Sequence, residues 1–99
     1  MSKSAGARAR DDVVSVLVAA RREARLTQRE VVERLPEWLG WYATTIAKAE
    51  KGRRGLDFIE VREYAKVVGI TIATVDRRAT ALAAGHDHRA PAMRRPRKG

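Results

Sequence analysis

Residues 26–52 read LTQREVVERLPEWLGWYATTIAKAEKG, and the caps and apolar spacing in this stretch decide the fold. Thr27 followed three residues later by Glu30 is a reciprocal capping box, so a helix starts there, with Val31 and Leu35 on its inner side. Pro36 stops it, because proline lacks a backbone donor and steers the preceding residue out of the helical region. A second helix over YATTIAKAEK turns Ile46 and Ala49 inward and ends against Gly52, a natural left-handed cap.

The same punctuation continues outward. Upstream, Asp11 and Asp12 suit a helix N-terminus, and the helix runs to about Ala24 with Leu17, Ala20 and Ala24 facing inward. Downstream, DFIE at 57–60 repeats the start signal, and Ile59, Tyr64, Ala65 and Val68 mark the apolar side of a helix ending at Gly69. A fifth helix, from Thr71 or Thr74 to Ala84, carries Val75, Ala79 and Leu82 at helical spacing before Gly85. No strand pattern and no internal repeat is visible. The expected fold is all-α: five short helices in one compact domain over residues 11–85, between a disordered basic arm (1–10) and a disordered basic tail (86–99).

Composition bounds the chemistry. The 99 residues include only five aromatics, so the core must come mainly from Val, Leu, Ile and Ala. The lack of cysteine excludes disulfides, zinc–thiolate sites and thiol catalysis, and suits a reducing, cytoplasmic location. No apolar run approaches the roughly 18 residues that span a bilayer, and MSKSAGARARDD has no apolar segment of the signal-peptide kind. Net charge is +9, the balance of a protein that meets polyanions. Residues 1–10 hold three basic side chains and no acid, and residues 86–99 hold five basic and one acid, so the tails carry 7 of the 9 charges. They read either as solvated termini or as phosphate-contacting arms.

Catalytic constellations are not visible: there is no Gly-rich phosphate loop and no nucleophile with its base. The expectation is a non-enzymatic protein without a cofactor. His86, Asp87 and His88 have metal-ligand chemistry but no further ligands nearby in sequence, so no metal site is expected.

LVAARREARLTQREVVERL followed by TTIAKAEKGRRGLDFIEVREYAKVVGI resembles the phage-repressor or Xre-type helix-turn-helix family over roughly Leu17 to Ile70. The resemblance implies a five-helix repressor-like DNA-binding domain whose second and third helices form the helix-turn-helix, the third lying in the major groove, usually as a homodimer on an inverted repeat. It also implies that Ala43, Thr44, Ala47 and Lys48 face base edges, and that Gln28, Lys51, Arg53 and Arg54 reach phosphates. Arg21 and Glu50 align with an ion pair tying the first helix to the third. The residue types agree, because a helix entering the major groove needs small or hydrogen-bonding side chains at its exposed end. Thr44 or Thr45 also reads as a helix cap.

Two departures stand out. The sequence is longer than the family's turn by four residues, assigned to Pro36, Glu37, Trp38 and Leu39, which suits one extra helical turn. Val32 replaces the expected Ala where the two helices cross, which favours a wider crossing filled by Trp38, Leu39 and Trp41. The aromatic cluster, with Tyr42, reads in three ways: core, protein interface, or sugar–phosphate contact at the groove edge.

The expected function is a sequence-specific double-stranded DNA-binding regulator, a repressor occupying an operator. An antitoxin-type autorepressor with a toxin partner, a protein-interaction module using Trp38 and Trp41, and sequence-indifferent coating of DNA by the tails remain the rivals.

Overall fold

The computed structural model describes residues 5–94; the side chains of Ala5, Ala7 and residues 86–94 lie outside the description. Five helices follow in order: α1 (Ala5–Glu23), α2 (Gln28–Arg34), α3 (Ala43–Glu50), α4 (Phe58–Val68) and α5 (Ile72–Arg94), with a short 3-10 turn at Glu37–Leu39 between α2 and α3. No strand occurs among the described residues, and no described helix is long and apolar enough to cross a membrane.

Local chemistry sets the boundaries. Thr27 Oγ1 accepts from the Glu30 N–H at 3.0 Å while Glu30 accepts from the Thr27 N–H at 2.8 Å, the reciprocal box that starts α2. Asp57 and Glu60 repeat it at α4, at 2.8 and 3.0 Å. Thr71 Oγ1 takes the Thr74 N–H at 3.1 Å and opens α5. At the far end of α3, Gly52 adopts φ +74°; its N–H reaches the Ala49 carbonyl and that of Arg53 the Lys48 carbonyl, satisfying carbonyls the helix leaves bare.

A single apolar cluster joins the helices. Val16, Leu17 and Ala20 of α1 meet Val31 and Leu35 of α2, Ile46 and Ala49 of α3, Tyr64, Ala65 and Val68 of α4 and Val75 of α5. Ala20, Ala49 and Ala65 are almost fully buried. Their small side chains let backbones approach closely, and Tyr64 fills the remaining volume as the largest fully buried side chain.

Three boundaries differ from the sequence reading. Helix α1 begins at Ala5, so residues 5–10 are helical and not a disordered arm, and Asp11 and Asp12 lie inside the helix. Alanine at positions 5, 7 and 9 has the strongest helix propensity and carries the helix back past the acidic pair. Helix α5 passes Gly85 and ends at Arg94, so 86–94 is helical and not a disordered tail. Gly85 is absent from the residues with positive φ, and a glycine permits a left-handed stop without compelling one. Residues 1–4 and 95–99 of the expected arm and tail lie outside the described residues. On the apolar faces, Ala24 and Ile59 are exposed where burial was expected.

Candidate nucleic-acid interface

Helix α3 has two unlike sides. Ile46 and Ala49 are buried in the core, whereas Ala43, Thr44 and Lys48 are exposed and Ala47 is half-exposed. The outward side is therefore small near the helix start and cationic further along. Thr45, not Thr44, does the capping: its Oγ1 accepts the Tyr42 N–H at 3.1 Å, which leaves the Thr44 hydroxyl on the exposed side. Past the helix, Lys51 and Arg53 are exposed.

Both ends of α3 are fixed to α4 by polar networks. At the C-terminal end, the Arg21 guanidinium makes two 2.8 Å hydrogen bonds to the Glu50 carboxylate. Glu50 also accepts from the Tyr64 hydroxyl at 2.5 Å and from Gln28 Nε2 at 3.0 Å. Burial pushes the Glu50 carboxyl up, but the hydrogen bonds from Arg21, Tyr64 and Gln28 outweigh it and hold the carboxyl below its usual range. Burial, and then the adjacent Glu50 carboxylate, push the Tyr64 hydroxyl up, so it remains a donor.

At the N-terminal end the anchor is Trp41, the residue before the Tyr42 cap. It is only 7% exposed, meets Tyr64 edge-to-face with ring centroids 6.3 Å apart, and donates its indole N–H to Glu60 at 3.1 Å. Arg54 completes the group. Its guanidinium bonds Glu60 at 2.7 and 3.1 Å and lies 5.5 Å from the centre of the Trp41 ring. These bonds, with Arg54 foremost, hold the Glu60 carboxyl at about 2 despite its burial. Tyr64 links the two networks, through its ring to Trp41 and through its hydroxyl to Glu50.

The expected residues thus separate. Ala43, Thr44, Ala47, Lys48, Lys51 and Arg53 lie along α3 and its exit turn with the base- and phosphate-facing candidates outward. Arg21 and Glu50 pair as expected. Gln28 and Arg54, expected at phosphates, are half-exposed and each bonds a carboxylate of the fold: Gln28 Nε2 donates to Glu50 and the Arg54 guanidinium to Glu60. The aromatic insert is split. Trp41 is core and Leu39 packs against it, whereas Trp38 is 67% and Tyr42 72% exposed, so Trp38 does not fill a widened crossing and Trp41 offers no interface.

The Glu60–Arg54–Trp41 group escaped the sequence reading. A buried indole needs an acceptor, and Glu60 was already marked by its capping box, but no spacing rule connects positions 41, 54 and 60 across two loops. Among the described residues no group of three or more metal-ligating side chains occurs; His86 and His88 have side chains outside the description. Comparisons with family models, curated proteins and solved structures found no match to this chain.

Proposed function

We propose that the protein is a sequence-specific, double-stranded DNA-binding regulator that inserts α3 into the major groove and acts by occupying its site, as a repressor does. The observation that carries this reading is the two-sided α3: Ala43, Thr44 and Lys48 exposed, the reverse side buried, and both ends anchored to α4 through Trp41 and Glu50. Base readout needs a helix whose side chains approach base edges closely from a fixed position. Small Ala43 and Ala47 permit the approach, Thr44 offers a hydroxyl and a methyl, and Lys48 offers donors to guanine. Lys51 and Arg53 supply phosphate contacts that position without specifying.

In this reading α2 and α3 act as the helix-turn-helix that the family resemblance implies, with Glu37–Leu39 of the four-residue insert folded as a 3-10 turn between them. In this reading the protein is no enzyme, needs no cofactor and works in the cytoplasm. A homodimer is the expected assembly; the exposed apolar side chains of Phe58 and Leu82, on α4 and α5, support a second copy as partner. Light scattering over a concentration series tests that assembly, and a monomer at every concentration counts against it.

Selection from a pool of randomised duplexes tests the function. The full-length protein is expected to recover a defined sequence, with Thr44→Ala and Lys48→Ala changing the preference at one or two positions each. A pool that stays random through successive rounds overturns the reading.

A further inference from the structure

Trp38 and Tyr42 are, with Phe58 on α4, the large aromatic side chains that the core does not take, and they lie on either side of Trp41, which ties their turn to α4. The turn is held at several points. The Leu39 N–H bonds the Pro36 carbonyl at 3.0 Å and the Gly40 N–H bonds that of Glu37 at 3.0 Å. Gly40 then reverses the chain at φ +72°, and Trp41 is bonded to Glu60. Rings exposed to 67% and 72% are therefore carried on a turn anchored on both sides. An apolar ring in water gains nothing from its area until a partner covers it.

The surroundings say which partner. Tyr42 directly precedes Ala43 and lies two residues before Thr44, so it adjoins the exposed start of α3, with Trp38 four residues before it on the preceding turn. Exposed Lys48, Lys51 and Arg53 lie along α3 and its exit turn, while Glu50 is held by Arg21; the inserted turn carries one carboxylate of its own, the exposed Glu37 beside Trp38. Cations around flat apolar rings match a DNA strand, whose phosphates are charged and whose sugars and thymine methyls are not.

We propose that Trp38 and Tyr42 form a second DNA contact, packing on the sugar faces and thymine methyls of the base pairs that flank those read by α3. This rests on the DNA-binding reading above and adds to it a non-ionic contact made by the inserted turn. Apolar packing releases no counterions, so its loss lowers affinity without changing the salt dependence, whereas loss of a phosphate contact lowers both.

The test uses the full-length protein and the duplex recovered from the randomised pool. Acrylamide, a neutral quencher, reports on Trp38 because Trp41 is buried. In the free protein Trp38 is quenched readily; on saturation with duplex, monitored by anisotropy, its quenching is expected to fall several-fold, and Trp38→Phe should abolish that change. Trp38→Ala should weaken binding about tenfold, the scale of one aromatic contact, with an unaltered slope of affinity against salt and an unaltered melting temperature. Trp38→Phe should retain most of the affinity. If the duplex binds and Trp38 stays as quenchable as before, or Trp38→Ala binds as tightly as wild type, the second contact is refuted, the DNA reading stands, and the rings are left for a protein partner. If no duplex is recovered, both readings fall together.

Discussion

Trp41 donates its indole N–H to Glu60 at 3.1 Å, and this bond ties the start of α3 to α4, as the Arg21–Glu50 pair ties its end to α1. Without it, the four-residue insert would be a long flexible approach to the helix that faces outward. With it, the insert is a spacer whose far end is tied into the core. Trp41→Phe keeps most of the ring and removes the donor; Trp41→Ala removes both. Urea denaturation should show losses of about 1–2 kcal/mol for the first and about 3–5 kcal/mol for the second, with Trp38→Ala within about 0.5 kcal/mol of wild type. Similar losses for Trp38→Ala and Trp41→Ala would contradict the division between the two rings.

Glu50 gathers donors from α1, α2 and α4. Breaking a buried pair from one side strands the remaining charge, here Arg21, whose side chain is 11% exposed. Glu50→Ala is therefore expected to cost about 3–5 kcal/mol, a fall of at least 10 °C or so in melting temperature for a domain this size. Glu37→Ala, on the exposed insert, should move it by no more than a few degrees. Equal effects would remove the pairing from the account.

The acid limb of stability should follow Glu60. Its folded carboxyl lies at about 2, below the ordinary 4.5, so the unfolded chain binds a proton first as pH falls. The stabilisation is complete above about pH 4.5 and is lost progressively towards pH 2; the lowered Glu50 carboxyl acts in the same direction. Urea midpoints at pH 7, 4 and 3 should decline, and Glu60→Gln should flatten the decline while lowering the neutral-pH value. An acid limb unchanged in Glu60→Gln would exclude Glu60 as its main cause.

Gly40 offers a test of backbone strain without crowding. A Cβ there meets nothing within 4 Å, yet φ is +72°. Gly40→Ala should cost about 1 kcal/mol and disturb the insert without opening the core, seen as a small drop in melting temperature. A neutral result would mean the turn relaxes at no cost.

Much of this was legible because the chain marks its helices with short-range chemistry. Thr27 with Glu30, Asp57 with Glu60, and Gly52 and Gly69 each act within a few residues, and each stands where the sequence puts it. The Arg21–Glu50 pair was reached only through the family resemblance, since 29 positions separate the two. The misreadings have related causes. Asp11 and Gly85 have cap chemistry, but neighbouring alanines continue the helix past them. Gln28 and Arg54 were read for phosphate alone, whereas each also bonds a carboxylate of the fold that no local spacing connects to it. Of Trp38 and Trp41, composition could not say which the core would take, because that depends on the reversal at Gly40.

The most direct measurement of the central claim is fluorescence anisotropy of the full-length protein at near-physiological salt, with the selected duplex and a scrambled one. The account predicts at least about 1,000-fold tighter binding to the selected sequence, with most of that ratio lost in a Thr44→Ala/Lys48→Ala double variant that melts like wild type. Equal affinity for both duplexes, unchanged by the double variant, would contradict readout by α3.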